Sequence, residues 1–149
     1  PTADVVFEDK DGEINQILEE DLPFDLKQPV IDLDTYAYGI WYLDAMDNLS
    51  RYIGKTIKFK AMVLRPKDGS TDYFVPGRMA MTCCAEDMAF LGYACKYDKR
   101  TELTNKEWVE VTATVHQEFW KDYNGEGPVL HAVSVVPTKK PKDEVVSFN

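Results

Sequence analysis

The stretch Trp108-Val109-Glu110-Val111-Thr112-Ala113-Thr114-Val115-His116 alternates apolar and polar residues along most of its length. Valine and alanine occupy the odd-numbered positions, and polar residues occupy the even-numbered positions that follow Trp108. A period of two is typical of a β-strand that buries one face and leaves the other in solvent. The sequence around this strand therefore predicts a mainly β fold.

Other parts of the chain carry strand signals of the same kind. Asn124-Gly125-Glu126-Gly127 marks a turn, so the strand from Trp108 to Phe119 and the next one are predicted to form a hairpin. Pro76-Gly77 predicts a bulge or bend within a strand predicted at 72–84. One helical turn is expected at 85–88. The four further predicted strands are residues 55–65, 72–84, 90–97 and 128–136.

One helix is predicted ahead of the strands, at about residues 35–50. Asp34 or Thr35 offers a side-chain oxygen that can cap its first turn, and Gly54 is expected to end the segment. Five strands and one preceding helix are typical of a small five-stranded OB-like barrel. A small antiparallel sandwich would show the same periodicity.

The domain limits follow from composition and charge. The 149 residues are enough for one core, which we place in an OB-like barrel domain at 29–142, with a tail at 143–149. The formal net charge is -9, and residues 1–34 carry all of the excess, with eleven acidic and two basic residues. Residues 1–28 are therefore predicted to form an acidic N-terminal arm.

The charge balance also bears on partners. A nucleic-acid backbone is bound through an excess of clustered Lys and Arg, and a chain with an acidic arm and no net positive charge elsewhere does not offer that excess, so no nucleic-acid partner is expected. A module for single-stranded nucleic acid on an OB-type face is retained only as a second alternative function. No apolar run reaches the roughly 20 residues that span a bilayer. Because the chain opens at Pro1, we expect a processed or excised piece whose anchor is absent.

Cysteines are the most distinctive candidate site residues. Three cysteines are an odd number, so an intramolecular disulfide, for which Cys84 and Cys95 are the candidates, would leave one thiol free. Reduced buried thiols and a metal site are the other interpretations. The histidines are interpreted mainly as structural or solvent-exposed residues. The side chains that offer zinc ligands are Cys83, Cys84, Cys95, Asp87, His116 and His131.

The catalytic signals are few. The sequence contains no Gly-rich phosphate loop, no HExxH and no GxSxG, so we expect a protein that is not an enzyme. The alternative function is a thiol-dependent redox enzyme that uses Cys84 and Cys95, which would require a lowered thiol pKa. The aromatic residues are interpreted as core, with Trp120 and Tyr123 as an alternative partner surface.

Several motifs together resemble a known family. The C-terminal soluble domain of a bacterial family of permease-associated membrane proteins, a domain of unknown function, is similar to this chain over about residues 30–142. Its most specific part is the Arg…Cys-Cys-Ala-x-Asp segment. The matching motifs are Tyr52-Ile53-Gly54-Lys55, Arg65-Pro66, Arg78, Thr82-Cys83-Cys84-Ala85-Glu86-Asp87, Trp108-Val109-Glu110-Val111 and Pro137.

The resemblance implies an OB-like barrel, a full-length protein with N-terminal transmembrane helices, and a gene near a predicted permease. It carries over Arg78, Cys83, Cys84 and Asp87 as signature residues. Cys83, Cys84 and Asp87 are the resulting candidate metal ligands, for zinc, and the Arg78 guanidinium would hold the Asp87 carboxylate or an anion.

From the resemblance we expect a non-enzymatic binding or accessory domain of a membrane transport system. Its expected location is extracytoplasmic, in the cell envelope or secreted. Its expected partner is a membrane permease or another envelope protein. The chain departs from the family in its acidic arm and in Glu86 and Met88, where the family has small residues.

Overall fold

The computed structural model describes residues 17–69, 72–81, 87–99 and 102–148. These residues form one α-helix and eight strands that belong to one mixed sheet. In chain order the elements are β1 (Ile31–Leu33), α1 (Thr35–Asp47), β2 (Thr56–Leu64), β3 (Tyr73–Met81), β4 (Met88–Gly92), β5 (Cys95–Lys96), β6 (Trp108–Trp120), β7 (Gly125–Pro137) and β8 (Val146–Ser147). Short 3-10 turns lie at Glu19–Asp21, Leu49–Arg51 and Lys121–Tyr123.

The strand pairings form a closed path that begins and ends at β2. β2 pairs with β6 and β6 with β7, both antiparallel, and β7 pairs in parallel with β5. β5 then pairs with β3, and β3 pairs with β2, again antiparallel. β1 extends β2 in parallel, while β4 and β8 attach to β3. The predicted mainly β fold and the predicted β6–β7 hairpin are confirmed.

The predicted number of five strands is wrong, because short strands give no periodic signal. β1 and β8 have three and two residues and are held by pairing with β2 and β3. The predicted strand 90–97 is two strands, separated at the buried residues Tyr93 and Ala94. Met88, expected in a helical turn, begins β4 opposite Met81. Residues 85 and 86 of that expected turn lie outside the described residues.

β3 runs through Pro76-Gly77 without the expected bulge. Gly77 pairs with Met62 of β2 on one side and with Gly92 of β4 on the other. A Cβ at position 77 would lie 2.5 Å from the carbonyl oxygen of Leu91, so glycine is needed for this close approach. The register shift that the sheet does contain lies between β6 and β7, at Thr112/Ala113.

Helix α1 begins where the sequence predicts. The Asp34 side chain accepts a hydrogen bond from the Ala37 N–H at 2.9 Å and so caps the first turn. The helix ends at Asp47 rather than at residue 50. The chain then tightens into the 3-10 turn Leu49–Arg51. No helix in the described ranges has the length and apolarity to cross a bilayer.

A buried carboxylate explains why the helix ends there. Asp44 is 1% exposed and accepts hydrogen bonds from Asn48 Nδ2 at 2.8 Å, Arg51 Nη1 at 2.8 Å and the Tyr52 hydroxyl at 2.5 Å. These partners all follow the helix, so satisfying the buried charge folds the chain back over its last turn. Burial, followed by the hydrogen bond to Asp44, raises the pKa of Tyr52.

The core confirms the alternation read from the sequence. The inward residues of β2 and β6 are fully or almost fully buried, and Tyr38 and Trp41 of α1 belong to the same core. Trp41 contacts the ring of Phe59 at a centroid distance of 6.0 Å and the ring of Tyr93 at 5.4 Å. The inward residues are Ile57, Phe59, Ala61 and Val63 of β2, with Val109, Val111, Ala113 and Val115 of β6.

Parts of the predicted arm and tail also lie against this core. Ile17 is buried, and the ring of Phe24 lies 6.3 Å from that of Tyr52. At the other terminus, Val146 of β8 is fully buried and would contact any Cβ placed at Gly39 of α1. Both terminal segments therefore contribute packing that their composition does not reveal.

Replacing Gly77 by alanine is expected to lower the free energy of unfolding by about 1–3 kcal/mol, because the new methyl group meets the β4 backbone. Urea unfolding followed by circular dichroism measures this loss. The matched control is Gly125→Ala, where no atom lies within 4 Å of the added Cβ. Equal stability of the two variants would contradict the close approach of the β3 and β4 backbones at Gly77.

Candidate functional site

Two histidines and a glutamate come together on the outer face of β6 and β7. His116 and Glu118 belong to β6, and His131 belongs to β7. The strand register pairs His131 with Thr114, so the two histidines are diagonal neighbours across the hairpin. Their rings stack with centroids 3.8 Å apart and planes 28° from parallel. The Nε2 atom of His131 lies 2.5 Å from Oε2 of Glu118.

The cluster has the composition of a transition-metal site. One potential ligand atom from each of the three side chains lies within 4.8 Å of the other two. All three residues are half-buried, so an ion can reach them from solvent. Two imidazoles and one carboxylate form a ligand set that binds divalent transition metals and leaves coordination positions open.

Two neighbouring side chains contact this cluster. The Thr114 hydroxyl lies 2.8 Å from Nε2 of His116, and the Lys96 ammonium lies 2.6 Å from Oε1 of Glu118. Lys96 reaches the cluster from β5, where it pairs with His131. Lys96 and His131 also line a groove of about 530 Å³, together with Asp72, Tyr97, Asp98 and Ala132. His131 and Lys96 therefore lie at a groove that also contains two carboxylates, Asp72 and Asp98.

Burial and the neighbouring polar groups shift two pKa values in the cluster. The pKa of His116 is lowered, first by burial and then by the neighbouring His131. Burial would raise the pKa of Glu118, but hydrogen bonds from Lys96 and His131 outweigh it and lower that pKa. A neutral imidazole and an ionised carboxylate are thus favoured at neutral pH, and these are the forms that bind metal ions.

Sequence reasoning found only part of this cluster. His116 and His131 were among the candidate zinc ligands, but Glu118 was not singled out. The available signal was its place on the polar face of β6, two residues after His116. The sequence alone does not supply the hairpin register, and without the register His131 cannot be placed beside them.

Arg78, a predicted site residue, is 2% exposed and lies in the middle of β3. One of its Nη atoms donates to Thr35 Oγ1 at 2.8 Å and to the Asp143 carbonyl at 2.7 Å. Its Nε donates to the Glu144 carbonyl at 3.3 Å. These hydrogen bonds tie β3 to the start of α1 and to the C-terminal segment. Support of the Asp87 carboxylate by Arg78 stays a prediction.

The guanidinium of Arg78 is also stacked. Its central carbon lies 5.4 Å from the centre of the Trp108 ring. Burial lowers the pKa of Arg78, and the nearby carboxylates of Asp143 and Glu144 partly oppose that shift. An arginine keeps its charge under such a shift because its ordinary pKa is so high. Arg78 therefore holds three parts of the fold together through a buried cation.

The other predicted site residues are not brought together in the described part of the chain. Cys83 and Cys84 lie outside the described residues, and Asp87 is exposed just before β4. Cys95 is fully buried, and burial raises the pKa of its thiol. A raised pKa disfavours the thiolate, which is the reactive form. The metal set Cys83, Cys84 and Asp87 stays a prediction, as does a Cys84–Cys95 disulfide.

The fold and the cluster define a mainly β domain with one helix and a candidate metal site on its outer face. The family model described as the DUF1980 C-terminal domain matches residues 9–147. This chain belongs to that family, which confirms the predicted resemblance to a domain of unknown function.

A curated relative shows a more distant similarity. The chain is 21% identical over 109 residues to the UPF0703 protein YcgQ of Bacillus subtilis (strain 168). The match covers 70% of this chain and 38% of that relative. The chain thus spans well under half the length of the curated relative that it matches.

Replacing Arg78 by lysine is expected to lower the free energy of unfolding by about 2–3 kcal/mol, because lysine leaves buried carbonyl groups without donors. Urea unfolding provides the measurement. Arg65→Lys, at an exposed position, is the matched control and is expected to change stability by less than about 0.5 kcal/mol. A similar small change in both variants would remove the proposed structural role of Arg78.

Cys95 is expected to resist alkylation by iodoacetamide at pH 8 in the native protein and to react in urea without reductant. Burial and the raised thiol pKa are the reasons. Peptide mapping by mass spectrometry measures the label at Cys95. Fast labelling of the native protein would favour the thiol-dependent redox enzyme, and absence of label in urea would favour a disulfide.

Proposed function

We propose that this domain binds a divalent transition metal ion at His116, Glu118 and His131. In this proposal it is a non-enzymatic accessory domain of a membrane transport system and lies outside the cytoplasmic membrane. The observation that carries the metal-binding part is the set of three ligand atoms within 4.8 Å of one another. Zinc is the favoured ion, because imidazole nitrogen and carboxylate oxygen are among its usual ligands.

Binding requires only small rearrangements. An ion between the three side chains replaces the hydrogen bond between His131 and Glu118 with two metal–ligand bonds. The Thr114 hydroxyl, 2.8 Å from His116 Nε2, would have to release that nitrogen or leave Nδ1 as the ligand. Because strands β6 and β7 fix the backbone of all three residues, side-chain rotation alone brings the ligands together.

The fold supports a binding role for this face. We interpret the closed pairing of β2, β6, β7, β5 and β3 as an OB-like barrel. Small barrels of this type commonly bind ligands on the outer face of their strands. The cluster lies on the outer face of β6 and β7, where the polar positions of the strand alternation point.

The transport role is supported only by the resemblance described in the sequence analysis. The match covers 38% of the Bacillus subtilis relative, so that relative has further segments beyond the matched region. We propose that a membrane permease or another envelope protein is the partner, with this domain presenting the metal ion to it. Co-purification of the full-length protein with its partner from detergent extracts tests that part of the proposal.

Zinc titration by calorimetry, after removal of bound metal with a chelator, tests the site. We expect one equivalent to bind, and we expect His116→Ala and His131→Ala to weaken binding by at least about tenfold each. These are the only two histidines of the chain, so no other histidine can contribute to the zinc binding that is measured. Unchanged affinity in both variants would overturn it.

The rival metal set is tested in the same series. The double variant Cys83→Ser with Cys84→Ser is expected to bind zinc with the affinity of the unmodified chain. Cobalt provides a second readout, because a thiolate ligand adds a charge-transfer absorption band that imidazole and carboxylate do not. Loss of binding in the cysteine variant, or such a band, would assign the metal to Cys83 and Cys84 instead.

A further inference from the structure

We propose that Lys96 competes with the metal ion for Glu118 and keeps the affinity of the site low, so that the ion is exchanged rather than stored. The inference rests on the proposed function and names the regulation of that same site. The ligand is an exchangeable divalent transition metal ion, carried and passed on to another ligand set.

The contacts of Glu118 carry the argument. Its two carboxylate oxygens have different partners, Lys96 Nζ at 2.6 Å from Oε1 and His131 Nε2 at 2.5 Å from Oε2. The carboxylate that would bind an ion is therefore already paired with the Lys96 ammonium group. Other carboxylates near this cluster, Asp72 and Asp98, line the groove.

The position of Lys96 follows from strand pairing. β5 runs parallel to β7, which places Lys96 beside His131, and β7 in turn places His131 beside Thr114 of β6. β7 therefore lies between β5, which supplies Lys96, and β6, which supplies Glu118. Its side chain is 42% exposed, so it can leave the carboxylate and move into solvent.

Electrostatics then sets the direction of the effect. An ion on Oε2 and an ammonium group on Oε1 share one carboxylate and lie only a few ångström apart. Repulsion between a doubly charged ion and a single positive charge at such a distance weakens binding about tenfold even with water-like screening. If Lys96 instead moves toward Asp72 and Asp98, the broken ion pair with Glu118 weakens binding as well.

The same coupling works in the other direction. If the ion pair with Lys96 lowers the affinity of the site for the metal ion by some factor, bound metal lowers the affinity of Glu118 for Lys96 by the same factor. In the metal-bound state the Lys96 ammonium group is thus released from Glu118 into the groove, and in the metal-free state it pairs with Glu118 again. A site with this coupling holds the ion weakly enough to give it up to a stronger ligand set.

The test compares Lys96→Met with Lys58→Met in zinc and cobalt titrations at one ionic strength. Lys58 is a matched control because its side chain is 40% exposed and lies 3.8 Å from another strand glutamate, Glu110. We expect Lys96→Met to bind the ion at least about tenfold more tightly and to release it more slowly to a chelator. Lys58→Met is expected to stay within about twofold of the unmodified chain, because its charge is away from the site.

The conservative variant Lys96→Arg keeps the charge and is expected to retain the original affinity, and circular dichroism of Lys96→Met establishes that this variant is folded. Unchanged or weaker binding in Lys96→Met would overturn the competition, and weaker binding would make Lys96 a positioning residue for Glu118. If neither the unmodified chain nor Lys96→Met binds zinc or cobalt, the metal site itself is absent. If Lys96→Met binds zinc or cobalt and the unmodified chain does not, the result supports competition by Lys96 strong enough to prevent binding.

Discussion

The backbone groups on both edges of β3 need partners, and the strands that supply them organise the rest of the molecule. One edge pairs with β2 and then β8, and the other pairs with β5 and then β4. Buried N–H and C=O groups without partners cost free energy, so pairing on both edges stabilises β3. Gly77 makes the arrangement possible, since a side chain there would meet the β4 backbone.

β3 also supplies the buried cation that joins the start of α1 to the C-terminal segment. Arg78 directly follows Gly77 and reaches Thr35 at the start of α1 and the carbonyl groups of Asp143 and Glu144. Its hydrogen bonds are directed to fixed groups of the fold. The cluster around Glu118 is different, because its members are half-exposed, carry charges and border a groove. Burial therefore separates a structural polar group from one that can exchange partners.

The sequence predicted those elements whose signal lies within a few residues. The alternation in β2 and β6, the hairpin turn and the start of α1 at its Asp34 cap all depend on neighbours along the chain. β1 and β8 escaped prediction because two or three residues have no measurable period, and they exist through pairing with longer strands. The end of α1 was placed too late because a buried network around Asp44, absent from any periodicity, folds the chain back.

The sequence by itself determined the mainly β class, the inner faces of the long strands and the polar outer face that carries His116. Only the tertiary structure decided that His131, Glu118 and Lys96 meet there. Their meeting depends on the β6–β7 register, which is shifted at Thr112/Ala113, and on β5 lying parallel to β7. The physical reason is that side-chain alternation is a local property of one strand, while register and strand order are set by the packing of the whole core.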